Sequence, residues 1–230
     1  MNKFDEINNE DVDFLEEHAL VFLDVEATGL KRPISIVQVG AVCEGGKTFD
    51  HYIVPFKPIE RQASRLTKLK LVHGTLYYKE KPVMTLHAQG LFEMLADWIE
   101  SVCTKPATIV AYNGFTYDFP VLAKHARYCG VDMGSRMRKD GKHLIKGFLD
   151  PLVYMKKAFP ENRKYNQEHM MSQFGLQCEG EAHSAIMDAK NLKTMFNALM
   201  NQERAVSLKN VPECFKNREE FFENLARLEV

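Results

Sequence analysis

The pattern of apolar and polar positions predicts strands in the first part of the chain. An apolar run over 19–23 is typical of a buried strand. A partly alternating segment, 34–43, predicts a second strand, and a third is predicted over 48–54. The Glu-Gly-Gly-Lys sequence between them is a hairpin signal. The first part of the chain is therefore expected to contain one antiparallel hairpin.

Apolar residues at helical spacing dominate the rest of the chain. Helices are predicted over 61–74, 86–102, 119–128, 165–174 and 183–202, and Pro151 opens another. Short apolar strands are predicted at 107–111 and 144–149. This order favours an α/β fold with a mixed central sheet flanked by helices over a barrel or a purely parallel sheet.

The chain of 230 residues is long enough for one domain with a sizeable core. No repeat, low-complexity tract or Pro/Gly/Ser-rich linker divides it. We therefore expect a single domain over 1–203 and a C-terminal helical extension, 204–230, packed on its outside. A short acidic helix is also predicted over 11–18.

Composition narrows the classes of function. The formal net charge of −1 excludes a globally basic nucleic-acid binder, although it permits a metal-mediated phosphate site. No apolar run approaches the ~20 residues of a membrane span, and residues 1–12 are too acidic for a signal peptide. Five scattered cysteines without a Cys-x-x-Cys pair indicate reduced thiols. We expect a cytoplasmic or nuclear protein without membrane attachment.

Two acidic residues follow the apolar run of the first predicted strand. Asp24 and Glu26 are two residues apart, so in a strand their side chains lie on the same face. Like charges held this close are unfavourable unless a cation lies between them, and Mg²⁺ prefers carboxylate oxygens. The pair favours a metal site at the strand end. The alternative is a solvated edge strand with two surface acids.

Two later segments carry further candidate residues. Asp118 follows a predicted strand and begins a predicted helix, where Asp is also a favoured N-cap. His183 and Asp188 are five residues apart, so on one regular helix they would not share a face. A position for His183 in the loop or first turn, with Asp188 one turn later, would bring them together. A histidine without special chemistry at a helix start is the alternative.

Four acids and a histidine together indicate phosphodiester chemistry. Two metal ions ~3.5–4 Å apart can hold the attacking water and the leaving oxygen in line across a phosphate. A histidine can accept the proton of that water. The metal ions also neutralise the phosphate, so the protein need not be basic overall.

Three motifs, in this order, are similar to those of the DEDDh exonuclease family: Phe-Leu-Asp-Val-Glu-Ala-Thr-Gly-Leu, Asn-Gly-Phe-Thr-Tyr-Asp-Phe-Pro-Val-Leu and His-Ser-Ala-x-x-Asp. The residues of these motifs resemble those of the three-prime repair exonuclease (TREX) group in particular, and the resemblance covers roughly residues 21–199. The resemblance implies an RNase H-like fold and two Mg²⁺ ions, for which Mn²⁺ can substitute. It also implies 3′→5′ release of nucleoside 5′-monophosphates.

The resemblance implies roles for individual residues. The metal ligands and catalytic acids would be Asp24, Glu26, Asp118 and Asp188. His183 would be the general base. Leu30 matches an apolar residue that packs on the terminal base, and Leu66 falls in the segment that wedges beside the same nucleotide. Core packing is the alternative for both leucines.

Further substrate contacts are implied at the same motifs. The backbone of residues 26–28, which include Ala27 and Thr28, would hold the 3′-terminal sugar, and Tyr117 would complete the substrate site. The implied partner is nucleic acid, with single-stranded DNA or a 3′ overhang favoured. Homodimers are common in the TREX group, which leaves a homodimer open here.

Two other functions stay open. An exoribonuclease on the same fold would differ only in a few contacts to the 2′-OH. A non-catalytic nucleic-acid-binding or scaffold protein would keep the fold, but it has no need for His183. A basic stretch, 134–147, matches no motif. It is expected to be either a loop that contacts the nucleic-acid backbone or a solvated insertion.

Overall fold

The computed structural model describes residues 18–200 and 211–227. In this part of the chain the strands are β1 (Ala19–Ala27), β2 (Ile36–Cys43), β3 (Thr48–Ile53), β4 (Leu69–Val72), β5 (Thr75–Tyr78), β6 (Lys81–Pro82), β7 (Thr85–Leu86), β8 (Ala107–Val110), β9 (Ile145–Leu149) and β10 (Phe215–Asn217). The helices are α1 (Arg61–Thr67), α2 (Ala88–Val102), α3 (Asp118–Tyr128), α4 (Pro151–Ala158), α5 (Gln167–Gln173), α6 (Ala185–Met200) and α7 (Arg218–Arg227). None of these helices is both long and apolar enough to cross a membrane.

The main sheet is mixed and has the strand order β10-β9-β8-β1-β2-β3-β7. Strand β1 runs antiparallel to β2 and parallel to β8, and β8 is parallel to β9. Helices cover both faces of this sheet. The α/β fold with a mixed central sheet, predicted from the order of elements, is confirmed.

The two faces of β1 bury different side chains. Val21, Leu23 and Val25 belong to the core under α2, α3 and α7. Leu20 and Phe22 belong to the core under α4, α5 and α6. Because side chains alternate across a strand, the even-numbered residues after Phe22 lie on the face that α6 covers. The first predicted acid pair is therefore on the α6 side of the sheet.

Helix α6 approaches the sheet closely at a glycine. Gly40 of β2 pairs with Asp24 of β1, and a Cβ on Gly40 would lie only 2.2 Å from the backbone carbon of Ala185. The Gln38 side chain accepts a hydrogen bond from the Ala185 amide at 3.3 Å. The start of α6 is thus fixed over β2, beside the end of β1.

Part of the predicted helix over 61–74 is a strand instead. Helix α1 ends at Thr67, Lys68 has a left-handed backbone with φ of 61°, and β4 follows. Strands β4, β5 and β6 form a small sheet, in which Leu69 packs with Leu76 against Val37 of β2. The leucines of this segment fit either a short helix or a strand by spacing, so the contact with Val37 decides the conformation.

The C-terminal segment contributes to the sheet as well as packing on it. Strand β10 pairs with β9 at the sheet edge, and α7 buries Phe221 and Leu225 in the core. The rings of Phe221 and Phe148 lie 4.1 Å apart, centroid to centroid. Residues 204–210 and 228–230 of the predicted extension lie outside the described residues, as does the predicted helix over 11–18 apart from His18.

The basic stretch 134–147 lies at the opposite end of the parallel strands from the acids. The Arg138 guanidinium donates to three backbone carbonyls of residues 103–105 at 3.0–3.3 Å, directly after α2. The stretch leads into the start of β9, next to the start of β8, whereas Asp24 lies at the far end of the parallel strand β1. The position favours a surface insertion over a contact to nucleic acid bound at the acids.

A buried histidine connects α3 to β2. The His125 Nδ1 atom accepts a hydrogen bond from the Ile36 amide at 3.1 Å. Its ring packs edge-on against Phe56 and Phe92, each with centroids 5.4 Å away. Burial lowers the pKa of His125 to about 4, because the charged ring would lose its hydration there.

Replacement of Gly40 by alanine tests how α6 is held. We expect Gly40→Ala to displace the start of α6 and to lower the free energy of unfolding by about 1–3 kcal/mol, as overpacking does in a dense interior. Chemical denaturation measures this change. Gly45→Ala is the matched control, since a Cβ there meets only the Cys43 sulfur at 3.8 Å. Equal stability of Gly40→Ala and wild type would contradict the close approach.

The pKa of His125 predicts a contribution to the pH dependence of stability. Folded His125 gains a proton near pH 4, but the unfolded residue gains one near its ordinary value of 6.5. The unfolded chain therefore binds more protons between these values. Lowering the pH from 7 to 4 should remove about 3 kcal/mol of stability through this residue.

The measurement compares the unfolding free energy of wild type and His125→Asn across this pH range. The asparagine oxygen can still accept from the Ile36 amide but does not titrate, so the variant should lose less stability on acidification. His87→Gln, which replaces an exposed imidazole, serves as the control. Parallel curves for wild type and His125→Asn would show that this histidine does not contribute.

Candidate active site

Three of the four predicted acids meet at the end of β1. The pairing of β1 with β8 ends at Phe22. The Val25 amide lies past this point, so β8 does not pair with it. Asp118, the first residue of α3, accepts a hydrogen bond from this amide through Oδ1 at 3.2 Å. Asp118 is only 4% exposed. The bond holds its carboxylate beside those of Asp24 and Glu26.

Helix α6 supplies the fourth acid. The Asp188 Oδ2 atom accepts a hydrogen bond from the His183 amide at 2.9 Å, and the Asp188 amide donates to the Ser184 carbonyl at 2.9 Å. His183 lies in the loop before α6, is exposed, and has a left-handed backbone with φ of 62°. Ligand atoms of Glu26, His183 and Asp188 all lie within 4.8 Å of one another.

The acids repel one another and are poorly hydrated. Burial, followed by the charges of the other three acids, raises the pKa of Asp24 well above its usual range. Burial and then the charges of Asp188 and Asp118 raise the pKa of Glu26 to about 8. Burial raises the pKa of Asp118 to about 7, and it raises that of Asp188 as well. In each case the ionised carboxylate is less favourable here than in water.

This donor set fits divalent metal ions. Carboxylate oxygens are the ligands that hard cations such as Mg²⁺ prefer. A cation among the four acids would offset the loss of hydration that chiefly raises their pKa values, and also the repulsion among the charges. The His183 imidazole lies within reach of the same position.

The loop after β1 is fixed on both sides. The Thr28 amide donates to the Ser35 carbonyl at 2.9 Å, and the Thr28 hydroxyl accepts from the Ser35 amide at 3.2 Å. The Glu60 amide donates to the Thr28 carbonyl at 2.8 Å, and the Glu60 carboxylate accepts from the Lys31 amide at 3.0 Å. Gly29 has φ of 133°, and a Cβ there would lie 2.3 Å from the Glu60 carboxyl carbon. Only glycine fits this turn.

The predicted substrate residues lie around this loop. Leu30 is 78% exposed and Leu66 of α1 is 45% exposed, so core packing, the alternative for both, does not occur. Ala27 is buried at the end of β1. The Tyr117 hydroxyl donates to the Gly29 carbonyl at 3.2 Å, and burial raises the pKa of Tyr117 to about 12. Tyr117 thereby ties α3 to the loop after β1.

Two residues that position the site were not predicted to do so. Gln38 holds the start of α6, and the buried Asp150 accepts hydrogen bonds from the amides of Asn113 at 2.9 Å and Phe115 at 3.3 Å. Asp150 thus fixes the turn that leads into Asp118. The Asp-Pro pair predicts a helix start at Asp150, but its bonds to a turn 35–37 residues earlier have no local sequence signal.

The fold is similar to that of solved nucleases. E. coli exonuclease I in complex with a dT13 oligonucleotide superposes with a TM-score of 0.64 at 17% identity, over 81% of this chain and 42% of that chain. The nuclease domain of 3′hExo, a DEDDh family member bound to rAMP, superposes with a TM-score of 0.63 at 12% identity, over 83% of this chain and 95% of that chain. The chain thus spans less than half the length of exonuclease I.

The sequence comparisons address the family directly. Among curated proteins none matches the sequence. A family model described as exonuclease (RNase_T) matches residues 21–196. This region contains α3 and most of β1 and α6, and it includes all four acids. A match over most of the chain, on a fold shared with solved nucleases, shows that this chain belongs to the exonuclease family of hydrolytic enzymes.

Proposed function

We propose that this protein is a divalent-metal-dependent 3′→5′ exonuclease that releases nucleoside 5′-monophosphates. One observation carries the proposal: Asp24, Glu26, Asp118 and Asp188 converge at the end of β1, with His183 beside them. The exonuclease family supports hydrolysis from a chain end. The direction and the product follow from the resemblance of the three motifs to the DEDDh family, and to its TREX group in particular.

The four acids are the proposed ligands of two Mg²⁺ ions, for which Mn²⁺ can substitute. When bound, such ions neutralise the phosphate and promote the ionisation of the attacking water. The backbone amides of Val25 and His183 anchor one oxygen each of Asp118 and Asp188. Each of these two carboxylates keeps a second oxygen for a cation, so hydrogen bonding and metal binding are compatible.

His183 is the proposed general base. Its imidazole lies within 4.8 Å of the carboxylates of Glu26 and Asp188, and its exposed loop gives it access to solvent. As the water oxygen attacks phosphorus, its proton would pass to the imidazole while the bond from phosphorus to the 3′-oxygen breaks. The departing 3′-oxygen would take up a proton from solvent to become a hydroxyl, and the imidazolium would return its proton to bulk water.

The terminal nucleotide is proposed to lie against the loop after β1. The exposed side chains of Leu30 and Leu66 offer apolar contacts to its base. We assign the sugar contact to the backbone of Ala27 and Thr28, which the bonds to Ser35 and Glu60 hold in place. Tyr117 supports this loop through Gly29 and completes the substrate site.

The proposal also covers the domain organisation and the cellular compartment. Residues 1–203 are proposed to form the exonuclease domain, with 204–230 as an extension whose Phe221 and Leu225 pack into its core. The five cysteines are free thiols, which supports a reducing compartment such as the cytoplasm or nucleus.

The preferred substrate is proposed to be single-stranded DNA or a DNA 3′ overhang, because the sequences of the three motifs resemble those of the TREX group. The solved neighbours contain either a DNA oligonucleotide or rAMP, so they favour neither sugar. Matched DNA and RNA oligomers, single- and double-stranded, should give the highest kcat/KM on single-stranded DNA. A higher value on RNA would instead favour the exoribonuclease.

Asp188→Asn tests the proposed metal site. We expect the rate at which a 5′-labelled DNA oligomer shortens from its 3′ end to fall by at least about 100-fold, since even groups that only support metal ligands contribute about 10–100-fold. The circular dichroism spectrum should stay that of a folded protein. Asp97→Asn, at an exposed acid of α2 that pairs with Arg136, is the matched control.

Near-full activity of Asp188→Asn would contradict the assignment of this acid. A wild-type protein that binds the oligomer but does not shorten it with Mg²⁺ would favour the non-catalytic alternative. Shortening that continues in excess EDTA would contradict metal dependence.

A further inference from the structure

A groove of about 690 Å³ begins beside Tyr117, the residue before Asp118, and extends along α3. One wall is formed by residues of α3 and its N-terminus that recur every three or four positions, among them Tyr117, Val121, Lys124 and Tyr128. This spacing places them on one face of the helix. The opposite wall comes from the loop after β1, including Arg32, and from Phe56 after β3.

The near end of the groove adjoins the proposed position of the terminal nucleotide through Tyr117. Tyr117 precedes Asp118, and its hydroxyl binds the carbonyl of Gly29, the residue before Leu30. From this end to Tyr128 the helix rises by about 16 Å, at ~1.5 Å per residue. At a spacing of ~3.4 Å for a stacked strand, this length accommodates roughly five nucleotides.

Two exposed aromatic rings lie at the far end of the groove. Phe56 is 48% exposed and Tyr128 is 78% exposed, with ring centroids 5.6 Å apart. The Phe56 ring is held edge-on by the ring of His125 at 5.4 Å. Exposed aromatic rings are the surfaces on which bases of a single strand stack, because every base has an aromatic face.

The charged residues of the groove complement a phosphate backbone. Arg32 and Lys124 line it, and none of the described residues that line it is acidic. The protein as a whole has 31 acidic and 30 basic residues, whereas the two charged side chains among the described lining residues, Arg32 and Lys124, are both basic. Cations that flank apolar rings suit a single-stranded nucleic acid better than an uncharged ligand.

We propose that this groove binds the nucleotides upstream of the cleaved end as a single strand, with bases stacked on Phe56 and Tyr128 and phosphates beside Arg32 and Lys124. The inference rests on the proposed function, because that function places the 3′ end of the strand at the acids. Paired bases in a duplex would not present their faces to the two rings. The groove is therefore a determinant of single-strand preference and of the length of strand that binds.

Substrates of two lengths separate the groove from the catalytic centre. A dinucleotide supplies the terminal nucleotide and the cleaved phosphate, whereas a hexanucleotide also reaches the rings. Wild type should have a lower KM for the DNA hexanucleotide than for the dinucleotide. Tyr128→Ala should raise the KM for the hexanucleotide about fivefold or more, the effect of losing one base stack, and leave both parameters for the dinucleotide unchanged. Tyr128→Phe, which keeps the ring, should behave as wild type.

The two cations are tested through salt dependence. Arg32→Gln combined with Lys124→Gln should make the hexanucleotide KM less sensitive to salt, with a log–log slope smaller by about 0.7 for each phosphate that the variant no longer neutralises. Lys142→Gln is the matched control and should keep the wild-type slope. This lysine lies in the basic stretch at the opposite end of the parallel strands.

Each outcome decides between the two proposals. A wild type that cleaves both oligomers, with groove variants that retain the hexanucleotide KM and salt slope, overturns the groove while the proposed function stands. An equal loss on both substrates also overturns it, because that pattern reports a general disturbance of the catalytic centre. A wild type that cleaves neither oligomer with Mg²⁺ contradicts the proposed function, and the groove assignment falls with it.

Discussion

The burial of four neighbouring carboxylates is the constraint on which the rest of this structure depends. Burial and mutual charge raise the pKa of Asp24 well above its usual range and that of Glu26 to about 8. Ionised acids in such a place oppose folding, and neutral or separated ones would be more stable. The fold nevertheless brings them together, and divalent cations would offset the repulsion. The same geometry therefore accounts for both the proposed metal dependence and the proposed chemistry.

Three local features of the fold bring the four acids together. Alternation along β1 puts two acids on one face, the Val25 amide draws in Asp118 where β8 ends its pairing, and the missing side chain of Gly40 admits α6 with Asp188. Each feature uses backbone geometry, which is rigid in the centre of a sheet. The residues proposed to contact substrate are different: Leu30 and Tyr128 are exposed, and they sit on fixed elements that extend outward from the acids. The arrangement separates a rigid centre from an accessible surface for a strand.

The features that could be predicted are those marked by a pattern within a short stretch of sequence. Asp24 and Glu26 stand at strand period, Asp118 stands at a helix start, and the apolar stripe of α6 is regular, so these features and the α/β fold follow from short windows. Strand β4 could not be separated from a helix by its leucines, because the contact of Leu69 with Val37 decides it.

Features that depend on distant contacts could not be predicted. Gln38 and Asp150 act through hydrogen bonds to segments far away in the chain, and a single sequence shows only their polarity. Arg138 looks like part of a basic loop, yet its guanidinium binds the carbonyls after α2. The groove combines residues from three separate segments, so no motif marks it.

The most direct test of this account is the free energy of unfolding of wild type and Asp24→Asn, each in EDTA and in Mg²⁺ near neutral pH. The account predicts that Mg²⁺ stabilises wild type increasingly with concentration, by about 2.7 kcal/mol at 100 times its Kd. In EDTA, Asp24→Asn should be more stable than wild type, because the amide needs neither a buried charge nor the uptake of a proton on folding, and the variant should gain little from Mg²⁺. Equal stability of the two proteins in EDTA, together with no effect of Mg²⁺ on wild type, would contradict it.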